Sequence, residues 1–367
     1  VSIGARIYLD FNATAPLLPA ARAAMVAALD EHGGNPSSVH REGRRARHVV
    51  ETARDRVAAR LGVGRDQIVF TSGGSESNAI AIAGLARLAG AGAVVAAPMI
   101  EHPSVRGAVE RCGGGTLPID LAGRLYPSKN EPMLGVVAVA AVNHEIGVMQ
   151  DPATAALWTR DNGTYLHVDA VQAFGKRDLA PWLAIADTLA ISAHKIGGPP
   201  GTGALWIRPG LDLPQVLAGG HQERGRRAGT ENVVGIAGFG AAADEADPAT
   251  WPAVAALGAA FERGLVALGG EVHGSEAPRV GGTINVRFPG CVGQSVVIAL
   301  DLAGIAASTG AACTSGTVAP SPVLLALGIS DYRAIEAVRF SLGRSTTMAE
   351  IEQVLHVLPA ILDRARQ

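Results

Sequence analysis

The sequence is poor in cysteine. Only Cys112, Cys291 and Cys313 occur in 367 residues, none in a CxxC pair, and the count is odd. That argues against a disulfide framework or a zinc knuckle, so no metal is expected, and a reducing, cytoplasmic setting is. A surplus of one charge is also missing: 31 basic and 33 acidic residues leave a net charge of −2. Holding nucleic acid by bulk charge, or a membrane surface by electrostatics, requires such a surplus. Neither partner is expected. Long apolar runs are absent as well. The longest, such as LAGAGAVVAAPMI at 88–100, fall short of the roughly 20 residues that span a bilayer. The opening stretch VSIGARIYLDFNATAP places Arg6 and Asp10 where a secretory signal would have its apolar core. No internal repeat, low-complexity tail or Pro/Ser linker interrupts the chain.

What is present is enough for a large core. Hydrophobic residues make up 48% and charged residues 17%, the balance of a globular chain. The length suits two domains on a prior of roughly 100–200 residues each. Short β-runs alternate with helical ones. QIVFT (67–71) meets the turn SGGSES and the helical NAIAIAGLARLA. AVVAAP (93–98) precedes the helical PSVRGAVERCG. MLGVVAVAAV (133–142) is apolar throughout, as a strand covered on both faces should be. YLHVDA (165–170) and TLAISAH (188–194) follow. This alternation predicts an α/β layer with a mostly parallel sheet sandwiched by helices, with sites at the carboxyl ends of its strands. After about Ala249 the texture changes to a smaller α+β unit: the helix WPAVAALGAAFERGLVALGG, the strand TINVRFPG, the helix VGQSVVIALDLAG, the strand EAVRFSLG and a closing amphipathic helix. We expect a large domain at 15–249 and a small one made of 1–14 and 250–367. The arginine-rich run at 41–60 carries interleaved acids at helical spacing and reads as a solvated helix face.

Four local features could carry chemistry. Lys195 ends a buried strand in ISAHKIGGPPGTGAL. Partial desolvation would lower its pKa, and a neutral amine attacks aldehydes to form a Schiff base. Position alone also allows a lysine that snorkels to the surface. Asp169 ends the strand in HVDAVQ, with Gln172 three residues on. A carboxylate there could pair with a protonated heterocycle nitrogen, or simply cap a helix. TSGGSESN (71–78) is a strand, a Gly/Ser turn and a helix start, which suits a phosphate. It is neither a Walker A loop nor a GxGxxG turn, and alone it is only a capped βα turn. His102 in IEHPSV could stack on a flat ring or be structural. Together the four describe one ligand with a phosphate, an aldehyde, a ring nitrogen and a flat face: pyridoxal 5′-phosphate (PLP).

The motifs LDFNATAP, GNPSSVHREG, IVFTSGGSESN, EHPSV, VNHEIGVMQD, HVDAVQAFGK, ISAHKIGGPPGTGAL, ERGRRAGTEN, STGAACTSG and VRFSLGR occur in that order. From about Tyr8 to the closing helix the chain resembles the cysteine desulfurases of the NifS/IscS type, class V members of the fold-type I PLP enzymes. The resemblance implies conversion of L-cysteine to L-alanine, with sulfur held on Cys313 as a persulfide for iron–sulfur clusters, thio-cofactors or tRNA. It implies that Lys195 forms the Schiff base and that Gly74, Ser75, Ser192 and His194 hold the phosphate. It pairs Asp169 with the pyridine nitrogen and Gln172 with the ring hydroxyl. It makes His102 the ring-stacking residue and a proton shuttle. Thr230 would reach the phosphate of a neighbouring subunit, which implies a homodimer with the active site at its interface. Asn35 and Arg339 would hold the substrate carboxylate.

Cys313 lies in STGAACTSGTVAPSP, a stretch of small residues, Thr and Pro that reads as an exposed loop. Its spacing to Arg339 follows the family. Cys112 and Cys291 read as structural. His144 in VNHEIG stands where the family usually has an Asn near the ring hydroxyl, and a His there is expected to titrate near neutral pH. The segment around Gly123–Met133 is shorter than usual. No long tail of the kind that docks an iron–sulfur scaffold follows the closing helix, so a scaffold or thiolation protein as sulfur acceptor rests on the resemblance. Two other readings stay open: a selenocysteine lyase or another class V PLP enzyme, and a non-catalytic subunit that keeps the fold.

Overall fold

The structure is a computed structural model that describes residues 6–31, 33–127, 133–159, 163–310 and 319–366. Seven strands form the central sheet, in the order Ile68–Thr71, Gly203–Ile207, Thr188–Ser192, Tyr165–Asp169, Leu134–Ala140, Val94–Pro98 and Gly115–Leu117. Neighbours run parallel except Gly203–Ile207, which is antiparallel to both its partners. The sheet is therefore mostly parallel, as the alternating pattern predicts.

Side chains alternate across a strand, so the apolar strand Leu134–Ala140 feeds two cores at once. Val136 and Ala138 face one core with Ile80, Ile82 and Leu85 of the helix Gly74–Ala89. Val137 and Val139 face the other, with Val50 and Val57 of the helix Arg41–Leu61 and Phe239 of the helix Val233–Glu245. Each fully buried valine or isoleucine contributes about 1.5–3 kcal/mol. Helix layers on both faces explain why this strand shows no polar positions.

The C-terminal unit has an antiparallel sheet in the order Ala337–Ser341, Thr283–Arg287, Glu271–Val272. The helices Trp251–Ala267, Gly293–Leu302 and Met348–Ala365 pack with it. The chain begins on this side: Ile7–Tyr8 pairs in parallel with Ile305–Ala306, and Asp10 bridges Ser341. From there the segment runs across the strand ends of the large sheet. No helix among the described residues is long and apolar enough to cross a membrane.

Two strands of the large sheet do not stand out in the sequence. Gly115–Leu117 has only three residues. Gly203–Ile207 hides behind a glycine-rich tract whose purpose is steric: a Cβ on Gly203 would sit 2.6 Å from the Gly73 backbone. The strand can lie beside the TSGG turn only because that carbon is missing.

The run at 41–60 is largely the solvated face it reads as, with one exception. Arg54 is 3% exposed. Its guanidinium donates to both carboxylate oxygens of buried Glu223, at 2.7 and 2.8 Å, and to the Ile68 carbonyl at 2.8 Å. Glu223 also accepts from the Phe70 N–H at 2.9 Å. This pairing holds Glu223 and Arg224 in left-handed conformations, φ 47° and 59°, each costing on the order of 1–3 kcal/mol. Replacing Arg54 by Met strands a buried carboxylate. We expect a stability loss of about 3–5 kcal/mol in urea unfolding; a loss under about 1 kcal/mol would contradict this reading of the pair.

Candidate active site

The carboxyl ends of the parallel strands open into a cavity of about 650 Å³ between the large sheet and the C-terminal unit. Gly74, Ser75, His102, His144, Asp169, Gln172, Ser192, His194, Lys195 and Arg339 all line it. These residues come from stretches far apart in sequence, and strand polarity alone brings most of them together. Thr230 and Asn35 do not line it. Both are exposed, and the Asn35 side chain accepts from the Ser37 N–H at 2.8 Å. Cys313 lies outside the described residues.

Lys195 ends the short turn that follows Thr188–Ser192. Its Nζ donates to the carbonyls of Asn12 at 2.6 Å and Ala13 at 2.9 Å. Burial is the main reason its pKa falls to about 8; the Arg339 charge adds to this, and Asp169 and Asp10 oppose it. Near pH 8 an appreciable fraction is free amine, as a nucleophile requires.

Asp169 and His102 share one organiser. His167 is fully buried, and burial depresses its pKa to about 3. The neutral ring contacts Thr188 Oγ1 through Nδ1 at 2.9 Å and donates through Nε2 to Asn78 Oδ1 at 2.9 Å. That orients the amide, so Asn78 Nδ2 donates to Asp169 Oδ2 at 2.8 Å and to Ser104 Oγ at 2.9 Å. Ser104 Oγ meets His102 Nδ1 at 2.8 Å, and the Ser104 N–H donates to the same nitrogen at 3.1 Å. With Nδ1 accepting, neutral His102 carries its proton on Nε2. Desolvation lowers the His102 pKa, with Lys195 adding and Asp169 opposing.

His144 does not behave as the sequence suggests. Its ring meets that of His102 edge-to-face, with centroids 5.2 Å apart. Burial, reinforced by His102, Arg339 and Lys195, holds its pKa well below the usual histidine range. It stays neutral at physiological pH and does not titrate there. Its backbone oxygen accepts from Asn12 Nδ2 at 3.1 Å and from Arg339 at 3.2 Å. The neighbouring Glu145 accepts from Ser321 Oγ at 2.5 Å, and burial raises its pKa.

Three cavity-lining polar atoms are buried without a hydrogen-bond partner among the described residues: Ser192 Oγ, Arg339 Nε and Glu101 Oε2. The Arg339 guanidinium also binds Asp10 at 2.8 Å. Glu101 is pushed up to about 8 by burial, with Asp169 adding, so it is a neutral acid at pH 7. A hydroxyl and a guanidinium N–H left free in a buried site await an acceptor. The helix start at Gly74 adds backbone donors that no helical carbonyl satisfies. A Cβ on Gly74 would stand 2.6 Å from Val171 Cγ2, so glycine keeps this turn close to the Asp169 segment. The donor set fits a phosphate at Ser192, His194, Gly74 and Ser75, a carboxylate at Arg339, and a ring nitrogen at Asp169. These are the requirements of PLP and an amino acid.

The profile of class V aminotransferases matches residues 7–354. The chain belongs to the class V aminotransferase family. Among class V proteins, a cysteine desulfurase of Cereibacter sphaeroides is 39% identical over 374 aligned residues, covering 98% of this chain and 97% of its own. A solved NifS-like protein superposes with a TM-score of 0.88 at 29% identity, covering 98% of this chain and all of that one. A structure of SspA in complex with cysteine gives 0.78 at 28% identity, over 93% of this chain and all of that one. The class V fold of these relatives is the fold described here, and the cysteine-desulfurase resemblance of the sequence holds across nearly the whole chain.

Asn12, Asn78, Glu101, His167 and Lys176 are site or supporting residues that motif reading passes over, although all five lie inside quoted motifs. Cys112 and Cys291 have thiols raised by burial, and Cys291 Sγ sits 3.7 Å from the Leu362 carbonyl. Neither is poised as a thiolate. Lys195 should therefore stand out from ordinary amines. Competitive acetylation followed by peptide mass spectrometry is expected to give it a midpoint near pH 8; a midpoint near the ordinary value of about 10.4 would contradict the desolvated placement.

Proposed function

We propose that this chain removes sulfur from L-cysteine, releases L-alanine, and passes the sulfur through Cys313 to an acceptor protein. The observation that carries the reading is the convergence on one cavity of a desolvated Lys195, an oriented Asp169 and a buried Arg339 with a free Nε. When bound, PLP supplies an electron sink for the substrate's α-carbon. Lys195 would hold it, Asp169 would pair with its ring nitrogen, and Ser192, His194, Gly74 and Ser75 would receive its phosphate. Gln172 and His144 would serve its ring hydroxyl.

The remaining steps belong to the protein's own groups. Arg339 fixes the substrate carboxylate with a geometry suited to a planar anion. Lys195 Nζ takes and returns the proton at the α-carbon; the Asn12 and Ala13 carbonyls keep it aimed. His102, neutral with its proton on Nε2, is a donor toward the cavity. Cys313 as thiolate attacks the substrate sulfur: the S–S bond forms as the Cβ–S bond breaks, the electron pair goes to Cβ, which takes a proton, and alanine leaves. Asn35 is assigned to the same carboxylate by its motif. Thr230, exposed beyond the strained Glu223–Arg224 turn, is assigned to the phosphate of a second copy. A homodimer follows from that assignment. A cytoplasmic setting and a division into 15–249 and 1–14 with 250–367 complete the reading; the pairing of Ile7–Tyr8 with Ile305–Ala306 supports the division.

Borohydride reduction of the PLP-loaded protein should fix the cofactor to the peptide holding Lys195. In Lys195→Ala that bond and alanine release should disappear, with a rate loss of about 10²–10⁴-fold or more. Cys313→Ala should keep PLP and lose alanine release from L-cysteine. PLP bound covalently in Lys195→Ala, or alanine formed at the wild-type rate by Cys313→Ala, would overturn the assignment.

A further inference from the structure

Lysine is scarce in this chain: it occurs at 129, 176 and 195, and every other basic residue is arginine. Lys195 lines the cavity, and Lys176 lies behind two residues that line it, Gln172 and Asn12. Lys176 is 6% exposed and lies in the turn after Gln172. Its Nζ donates to Gln172 Oε1 at 2.9 Å and to Asn12 Oδ1 at 3.2 Å. It also lies 5.1 Å from the centroid of the Trp251 indole. No carboxylate among the described residues pairs with it. Burial lowers its pKa to about 7, with Lys195, Arg344 and Arg339 adding.

The two amides it touches have only one orientation left. An ammonium offers three donors and no acceptor, so the atoms facing it are oxygens. As a neutral amine it still keeps two N–H bonds, one for each oxygen. Gln172, which lines the cavity, must then turn its Nε2 away from Lys176, where it donates to the Asn12 carbonyl at 3.0 Å. Asn12 must turn its Nδ2 toward the His144 carbonyl and Thr283 Oγ1, at 3.1 and 3.0 Å. An arginine's planar fork could not divide itself between two carbonyl oxygens and an indole face in this way.

We propose that Lys176 is a positioning residue that locks the Gln172 amide with its N–H₂ group toward the cavity, presenting a hydrogen-bond donor, and never a carbonyl, to an oxyanion on the bound cofactor. The inference rests on the PLP reading above and deepens it. Without Lys176 the amide is free to flip, and half of its orientations would oppose an anionic ring oxygen.

The test is a double-mutant cycle on PLP binding, with Lys176→Met and Gln172→Leu made singly and together. The dissociation constant is read by fluorescence quenching, and the pKa of the loaded protein from its absorbance. Lys176→Met should weaken PLP about tenfold or more and raise the absorbance pKa by roughly one unit, because a donor and a nearby positive charge both favour the deprotonated form. In the Gln172→Leu background the same change should lose most of its effect on affinity. Full additivity, or wild-type affinity and pKa in Lys176→Met, would overturn the proposal. If Lys176→Met does not fold, Lys176→Gln keeps an N–H₂ donor; it should bind PLP more tightly than Lys176→Ala, and equal binding by the two would overturn the proposal. A wild-type protein that takes up no PLP would overturn both this inference and the functional reading, whereas PLP-binding wild type with unaffected variants would overturn this inference alone.

Discussion

The site depends on Asn12. Its backbone carbonyl receives Lys195 Nζ and Gln172 Nε2, its side-chain oxygen receives Lys176, and its amide nitrogen reaches the His144 carbonyl and Thr283. Its backbone N–H donates to Ser341 Oγ at 2.9 Å. One 4%-exposed residue thus ties the large sheet, the turn after Asp169, the His144 loop and the C-terminal sheet to the reactive lysine. Each bond is worth only about 0.5–1.5 kcal/mol net, but leaving any partner unsatisfied in this buried place costs more. The geometry is therefore cooperative. The N-terminal segment has to cross from its pairing with Ile305–Ala306 before the lysine has its acceptors, so cavity and inter-sheet contact form together.

Electrostatics in the cavity follow from the same burial. Lys195 and Lys176 are each depressed by burial; Arg339 adds to both, and Lys195 adds to the depression of Lys176. His102, His144 and His194 are all lowered, His194 to about 4. At neutral pH the histidines are therefore uncharged donors and acceptors, which suits ring stacking and hydrogen bonding better than added positive charge would. The acids show the mirror pattern, with Glu101 and Glu145 raised by desolvation. Such a site has spare donors at Ser192 Oγ and Arg339 Nε, which suit an anionic ligand.

Much of this is legible in the amino-acid sequence, for identifiable reasons. Strands buried on both faces, such as Leu134–Ala140, announce themselves by unbroken apolar runs. Residues that line the cavity sit at strand ends inside or beside glycine- and serine-rich turns, where motif and geometry coincide; Lys195, Asp169 and Gly74 belong to this class. The supporting shell is less visible. Asn78, His167 and Lys176 act through other side chains, and nothing in local spacing says that His167 faces Asn78 across the sheet. Arg54 looked like one more charge on a solvated helix because its partner, Glu223, lies far along the chain. The antiparallel strand Gly203–Ile207 was masked by the glycines that let it approach Gly73. The near-neutral titration expected of His144 fails because burial among positive neighbours outweighs residue type.

The central claim is that sulfur leaves the substrate through Cys313. Mass spectrometry of the Cys313 peptide, after one turnover of the PLP-loaded protein with L-cysteine and no reductant, tests it directly. The account predicts a gain of one sulfur atom on that peptide, removed by thiol reductant and absent from the peptides holding Cys112 and Cys291. Alanine formed in full while the Cys313 peptide keeps its unmodified mass would contradict it.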